Sequence, residues 1–236
     1  MNILIIHAHP EPKSFCAALK DEAVETLQAL GHDVTVSDLY AMGFNPVASA
    51  QDFLARENPG YLSYALEQRA GAASGTLAQD IQDEIEKVKQ ADLIIFSFPL
   101  FWMSSPAMLK GWIDRVFVSG LFYGGKRIYG KGGMSGKKAL VCTTLGGRDY
   151  MFGDKALHGE LYGASGMLRS LLQGSFGYVG MQVLEPFVAY HVPYISDESR
   201  KEILKNWHQA LTTLDKRAVM QMPNLHDFDD AFKPLS

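Results

Sequence analysis

Short apolar runs recur along this chain, and a segment with helical spacing follows each of them. The runs "ILII" at residues 3–6, "LIIF" at 93–96 and "ALVC" at 139–142 contain no polar residue, which is typical of strands buried on both faces. Strand and helix signals alternate in this way to about residue 215. The pattern predicts an α/β fold, with a doubly wound five-stranded parallel sheet, helices on both faces and a short C-terminal extension.

Charge and cysteine content limit the possible functions. The formal net charge of −4 argues against a nucleic-acid surface. No apolar run approaches the roughly 18–20 residues that a spanning helix needs, so we expect no stable membrane insertion. Cys16 and Cys142 form no CxxC motif, and we expect free thiols in a reducing cytoplasm. No spacing typical of a metal site is present, so no bound metal is predicted.

The first strand leads into "HAHPEPKSF", a loop in the position of a phosphate-binding loop that nevertheless contains no glycine. A helix is predicted to begin at about Ser14, and the free N–H groups of its first turn can bind an anion. His9 and Lys13 add donors or positive charge. The loop suits a phosphate or pyrophosphate, although an ordinary serine-capped loop has the same pattern.

Two further strand ends carry unusual residues. Pro99 to Met103, "PLFWM", places large apolar side chains where a strand ends. These side chains predict either an apolar cluster covered by a loop or a surface that binds a flat apolar ligand. In "TTLGG", Thr143 and Thr144 offer hydroxyl groups, and Gly146 and Gly147 allow a ligand to approach the main chain closely.

Because the carboxyl ends of parallel strands meet at one edge of the sheet, we expect these three segments to line one site. A ligand with a phosphate chain and a planar polar ring fits them, and a flavin has both parts. A flavin stores the electrons itself, so its protein needs few acid–base groups. The sequence agrees, since it shows no Ser-His-Asp pattern and no paired catalytic carboxylates.

The segments "AHPEPKSF", "FPLFWMSSPAMLKGWIDRVF", "TTLGG", "HGEL" and "GMQVLEP" together resemble the NAD(P)H:quinone oxidoreductase family of flavodoxin-like fold, the DT-diaphorase and quinone reductase 2 type. The resemblance covers roughly residues 1–210. It implies a flavodoxin-like flavin-binding domain over residues 1–215 and a C-terminal extension over 216–236. It also implies a homodimer with active sites at the interface and ping-pong hydride transfer from NADH or NADPH to a quinone. The implied flavin is FAD, with FMN as the alternative.

The resemblance assigns a role to each matching position. The flavin-binding positions are His9, Ser14, Phe15, Cys16, Pro99, Leu100, Phe101, Trp102, Met103, Asp114, Thr144, Gly146, Gly147 and Arg200. The substrate-binding positions are Trp102, Tyr123, Ile128, Phe152 and Tyr178. Asp114 and Arg200 match positions near the adenine of FAD, and the second subunit is expected to contribute Tyr123, Ile128 and Tyr178. His158 matches a proton-relay histidine; the alternative is a surface histidine without a catalytic role.

The chain departs from the family pattern at several positions. Cys16 replaces an asparagine that contacts phosphate, and Leu145 is an additional residue before the glycine pair. Phe152 replaces the relay tyrosine, so Tyr150 is the predicted substitute as a catalytic residue. Gly125 replaces a tyrosine of the pocket and is expected to admit bulkier acceptors. Two alternatives remain open: an azo- or nitroreductase, or a flavin-bound regulatory subunit of an ion-transport system that docks through residues 120–136.

Overall fold

A single parallel sheet forms the centre of the computed structural model, which describes residues 1–235. Its strands are β1 (Asn2–His7), β2 (Asp33–Asp38), β3 (Leu93–Pro99), β4 (Lys138–Thr144), β5 (Gln182–Val183) and β6 (Phe187–Ala189). The order is β2-β1-β3-β4, and both β5 and β6 pair with the outer edge of β4. The predicted α/β fold with a parallel sheet is therefore confirmed.

The segment "GMQVLEPFVAYHV" predicts the fifth strand, and this strand is interrupted in the structure. β5 pairs with the beginning of β4 and β6 pairs with its end, and Pro186 lies between them. Proline has no N–H to donate to a sheet ladder, which explains the break. The C-terminal segment uses the freed carbonyl groups, since the guanidinium of Arg217 donates to those of Glu185 and Pro186. Val219 adds an antiparallel bridge to Leu184.

Helices cover both faces of the sheet. They are α1 (Phe15–Ala29), α2 (Tyr64–Ser74), α3 (Gln79–Gln90), α4 (Ala107–Val116), α5 (Arg169–Leu171, continued by a π-helical turn over Leu172–Gly177) and α6 (Asp197–Thr212). α1 and α6 pack together on one face around a core that includes Leu19 and Trp207. α3, α4 and α5 bury apolar residues on the other face. Among the described residues, no helix is long and apolar enough to cross a membrane.

The ends of α1 show why this segment forms a helix of this length. Ser14 is the N-cap, and its Oγ accepts the N–H of Ala17 at 3.1 Å. At the other end, Gly31 adopts a left-handed φ of 79°. The N–H of Gly31 donates to Gln28 and that of His32 to Leu27, which is the hydrogen-bond pattern of a Schellman motif. Ser14 therefore fixes the helix start that faces the loop after β1, and Gly31 fixes the opposite end.

The register of the sheet brings four strand ends level. His7 of β1 pairs with Ser97 of β3, Pro99 of β3 pairs with Thr144 of β4, and Thr144 pairs with Ala189 of β6. β1 is also the strand at which the order reverses, with β2 on one side and β3 on the other. Open α/β sheets bind ligands at such a position. We call the loops that follow β1, β3, β4 and β6 the carboxyl rim.

Candidate functional site

The three segments singled out from the sequence lie side by side at the carboxyl rim. The N–H of Ala8 donates to the carbonyl of Ser97 at 2.9 Å, which joins the end of β1 to β3. The N–H of Leu100 donates to the carbonyl of Thr144 at 2.8 Å, which joins the end of β3 to β4. The chain therefore brings a helix start, an apolar loop and a glycine pair to one place.

The start of α1 presents unpaired donors. The Ser14 hydroxyl caps the helix through Ala17, and the N–H groups of Phe15 and Cys16 have no acceptor within residues 1–235. Unpaired N–H groups at a helix N-terminus favour an anion. The Cys16 side chain does not face this opening: it is 2% exposed, and its Sγ lies 3.7 Å from Ser97 Oγ. Cys16 can therefore reach a ligand only through its main chain.

His9 is arranged as a hydrogen-bond donor beside this helix start. Its Nδ1 accepts the N–H of Glu11 at 3.0 Å. Burial lowers the pKa of His9, so the imidazole is neutral at pH 7. A neutral imidazole that accepts through Nδ1 carries its proton on Nε2. This assigned tautomer gives the rim a further donor without adding a charge.

A cavity of about 360 Å³ extends from the start of α1 towards α6. It is lined by Lys13, Ser14, Phe15, Ala18, Val192, Pro193 and Arg200. The Nη2 group of Arg200 donates to the carbonyl of Val192 at 2.9 Å, but its Nε is buried without a partner in the described chain. A buried guanidinium N–H is costly when unpaired, so this atom marks a place for an acceptor. Two cationic side chains and an unpaired donor make the cavity suitable for an anion.

The loop after β3 is a tight, strained turn. Trp102 and Met103 have φ values of 51° and 55°, a left-handed conformation that L-residues rarely adopt. Reciprocal hydrogen bonds of 3.0 Å between Phe101 and Ser104 close the turn. The Trp102 side chain is 100% exposed, and the N–H groups of Trp102 and Met103 have no acceptor in the described residues. An apolar surface with free donors and stored strain is typical of a binding site.

The loop after β4 is packed tightly from below. A Cβ on Gly147 would lie 2.9 Å from Phe152 Cε2, so any larger residue would have to displace that ring. Leu145, the additional residue of the sequence, is 8% exposed and belongs to the core under the rim. The Thr143 hydroxyl is occupied, because it donates to the carbonyl of Phe98 at 2.8 Å. The Thr144 side chain is 6% exposed at the end of the strand.

His158 and the glycine pair are linked through the ring of Phe152, whereas Tyr150 is exposed. The His158 ring packs on Phe152 with a centroid distance of 5.2 Å, and the main-chain N–H of His158 donates to the carbonyl of Met151 at 2.9 Å. Since Phe152 also packs on Gly147, the three residues form one cluster. Tyr150 is 70% exposed, and its hydroxyl makes no hydrogen bond with any described residue.

Four of the predicted residues lie away from the carboxyl rim of this chain. Asp114, Tyr123 and Tyr178 line a separate cavity of about 270 Å³, and Ile128 is buried beside it, next to the Tyr129 N–H that donates to Tyr178. Asp114 lies near the end of α4, which starts at the rim and runs back towards the amino ends of the strands. The sheet therefore separates this group from Arg200 within one chain.

The carboxyl end of β6 contributes residues that the sequence analysis missed. The Tyr190 ring packs on Phe152 at 5.9 Å, and its hydroxyl has no partner among the described residues. Burial, and secondarily the charge of Asp149, raises the pKa of Tyr190, so this hydroxyl remains protonated. His191 contacts Gly146 through its Nδ1. The available signal was "FVAYHV", because this strand also ends at the rim.

A buried polar network supports the rim from beneath. The Nδ1 of His7 lies 3.0 Å from Ser97 Oγ, and the Cys16 thiol contacts the same hydroxyl. Burial lowers the pKa of His7 to about 4, so its ring is neutral at pH 7. The network joins β1, β3 and α1. Within residues 1–235 no group of histidine, cysteine or acidic residues is arranged to hold a metal ion.

Comparison with known proteins first gives the class of the chain. A family model described as flavodoxin-like fold matches residues 1–211. The structure of a candidate quinone reductase from Klebsiella pneumoniae superposes with a TM-score of 0.92 at 33% identity, covering 100% of this chain and 94% of the other. The match to the family model and the observed sheet topology both assign a flavodoxin-like fold to the chain.

Two curated relatives narrow the class. Human ribosyldihydronicotinamide dehydrogenase [quinone] is 40% identical over 215 residues, covering 91% of this chain and 92% of the relative. NAD(P)H dehydrogenase [quinone] 1 of Cavia porcellus is 41% identical over 212 residues, covering 89% and 76%. The chain belongs to the NAD(P)H:quinone oxidoreductase family and is an oxidoreductase. The resemblance drawn from its motifs is confirmed.

Proposed function

We propose that this protein is a flavin-dependent enzyme that transfers two electrons from NADH or NADPH to a quinone by a ping-pong mechanism. The observation that carries the flavin assignment is the set of unpaired N–H groups on the rim, at Phe15 and Cys16, Trp102 and Met103, and Gly146 and Gly147. These donors lie around the exposed apolar side chains of Phe101, Trp102 and Met103, and the cationic cavity begins beside the start of α1. The names of both relatives support a quinone as the acceptor, and the name of the Cavia porcellus relative supports NADH or NADPH as the donor.

The residues present fit a flavin. The N–H groups at the start of α1, with Ser14 and the His9 Nε2–H, would hold its phosphates. The loop of Trp102 and Met103 would support one side of the ring, and the Gly146–Gly147 loop its polar edge. The buried, unpaired Nε of Arg200 gives an independent reason to place an acceptor beyond the phosphates.

When bound, a flavin supplies two-electron storage, and the protein supplies positions and protons. His158 and Gly147 both pack on the ring of Phe152. In this position His158 would donate a hydrogen bond, or a proton, where negative charge develops at the polar edge of the flavin ring. Trp102 would form the wall against which nicotinamide and then quinone lie. Since one surface serves both molecules in turn, the donor must leave before the acceptor binds.

The cavity near Arg200 favours FAD over FMN in this proposal. FMN ends at one phosphate, which the start of α1 would hold. The cavity continues past Ser14 and Phe15 to Val192 and Arg200, with a volume of about 360 Å³. A second phosphate and a nucleoside would use that space and the unpaired guanidinium N–H.

We also propose a homodimer with shared active sites, and the separation of the predicted residues within one chain supports it. Tyr123, Tyr178 and Asp114 line a cavity far from the rim of their own chain. They can contribute to a site of the expected composition only from a second subunit. Mixing and refolding H158A with Y178A chains should restore part of the turnover, since one site of each mixed dimer is then intact. Failure to restore turnover, with dimers present by sedimentation, would contradict shared sites.

The central test is the cofactor itself. Protein purified from cells is expected to be yellow, with flavin absorption that NADH or NADPH bleaches and a quinone restores. Heat release and mass spectrometry then distinguish FAD from FMN. A colourless protein that neither flavin reconstitutes would refute the proposal. Turnover with quinones, azo dyes and nitroaromatics under the same conditions identifies the acceptor.

The two cysteines bear on where the protein acts. Cys16 and Cys142 are both free and buried, which suits the reducing cytoplasm that we propose as the location of the protein.

A further inference from the structure

His191, which follows β6, has a strained backbone conformation and forms hydrogen bonds with the loop of Gly146 and Gly147. Its φ of 58° is left-handed, a conformation that strains a non-glycine residue. Its N–H donates to the carbonyl of Gly147 at 2.8 Å, and its Nδ1 lies 3.0 Å from the carbonyl oxygen of Gly146. A carbonyl only accepts, so Nδ1 carries the proton.

Leu145, the residue before the glycine pair, is hydrogen-bonded to the same β6 segment. The N–H of Leu145 donates to Ala189, and the N–H of Val192 donates to the carbonyl of Leu145, both at 3.0 Å. The carbonyl groups of Leu145, Gly146 and Gly147 therefore all point towards β6 and His191. In a planar trans peptide, a carbonyl and the next N–H point in opposite directions.

This geometry fixes the direction of two donors. The N–H of Gly146 is opposite the carbonyl of Leu145, and the N–H of Gly147 is opposite the carbonyl of Gly146. Both N–H groups consequently point away from β6, to the side where β3 ends, and neither has an acceptor among the described residues. The Tyr194 ring packs on His191 in a tilted arrangement, with a centroid distance of 4.9 Å, and its Cε2 would lie 3.9 Å from a Cβ on Gly146.

We infer that His191 is a positioning residue that aims the N–H groups of Gly146 and Gly147 at the acceptor atoms of the bound ring. The inference rests on the proposed flavin function. His191 does not touch the ligand in this role; it sets the direction of two main-chain donors. The left-handed conformation is required, because it lets one residue bind two successive carbonyl groups.

The test compares substitutions that separate the ring contact from the backbone strain. His191→Asn tolerates a left-handed φ and carries an N–H donor at the same place in the side chain as Nδ1. His191→Gly relieves the strain and removes the donor. His226→Ala, an exposed histidine in the C-terminal extension, is the control. Measurements are the dissociation constant of added FAD and FMN, the absorption spectrum of the bound flavin, and the melting temperature of the apoprotein.

We expect H191G to weaken flavin binding about tenfold and to change the flavin spectrum, without lowering the melting temperature of the apoprotein. H191N should bind within about threefold of the wild type, and H226A should match the wild type. A residue with only a structural role would lower the melting temperature and the affinity together.

Equal flavin affinity in H191G and the wild type would overturn the inference, and so would an H191N variant as weak as H191G. If H191G does not fold, the pair of H191N and His191→Asp answers the same question, because the two side chains have one shape but only the amide donates. A wild-type protein that binds no flavin overturns the proposed function and this inference together.

Discussion

Replacing Gly147 with alanine tests the packing that brings His158 to the rim. A Cβ at this position would lie 2.9 Å from Phe152 Cε2, and 3.2 Å from both Phe152 Cζ and Leu145 Cδ1. Ordinary carbon contacts are about 3.5–4.0 Å, so the Phe152 ring must move by roughly 0.5–1 Å. His158 and Tyr190 pack on that ring and oppose the movement.

Overpacking of this kind costs about 1–3 kcal/mol. For a chain of this size, a loss of about 2 kcal/mol lowers the melting temperature by roughly 4–8 °C. The neighbouring G146A variant is a matched control, since its Cβ would meet only Tyr194 Cε2 at 3.9 Å. Removing that glycine should change stability little, or raise it by about 0.4–1 kcal/mol.

Urea unfolding of the apoproteins provides the measurement, with F152L as the second substitution. The G147A/F152L double variant should be more stable than the sum of the two single losses, by roughly 1 kcal/mol, because leucine makes room for the new Cβ. If G147A is as stable as G146A, or if its effect adds to that of F152L without coupling, Phe152 does not pack on Gly147 as described.

Three shorter predictions address other parts of the rim. Ser14→Ala should lower the free energy of unfolding by about 1 kcal/mol through loss of the cap, whereas Ser14→Asp should keep the cap but weaken flavin binding by repelling phosphate; urea unfolding and flavin titration compare them. Burial lowers the pKa of His7 from 6.5 to about 4, so between these values the unfolded chain binds the extra proton and stability falls as the pH is lowered. His7→Gln should therefore lose up to about 3 kcal/mol less free energy of unfolding than the wild type between pH 6.5 and 4. Equal pH profiles of stability in the two proteins would contradict a lowered pKa of His7. Trp102→Gly suits the φ of 51° and should stabilise the apoprotein by about 1 kcal/mol while reducing quinone turnover; a less stable apoprotein would argue against strain at this turn.

The sequence predicts the sheet and the place of the site because both depend on local patterns. Continuous apolar runs predict β1, β3 and β4, and parallel strands must end at a common edge. The helix start at Ser14 was also predicted, since N-cap chemistry is local. The interruption at Pro186 was not, although proline was visible, because the C-terminal segment that compensates for it lies about 30 residues further along the chain.

The roles of single residues were harder to predict, because they depend on which way each side chain points. Cys16 lies where the family pattern places a phosphate ligand, yet its thiol turns down to Ser97. Tyr150 was chosen by its distance along the chain from Phe152, but it faces solvent. Tyr190 packs on Phe152 from a separate strand, a contact that no local pattern contains.

Backbone strain identifies the rim independently of any motif. Within residues 1–235, the non-glycine residues with positive φ are Trp102, Met103, Tyr129, His191 and Phe232. Trp102, Met103 and His191 all belong to the rim loops. The Trp102 side chain is fully exposed, so the main-chain hydrogen bonds between Phe101 and Ser104 hold its backbone in this conformation. Strained residues persist only where the surrounding structure imposes them, and they concentrate at binding sites. The hydrogen bonds that impose this strain therefore act before a ligand arrives: they hold the N–H groups of two loops in place, so that binding need not order them.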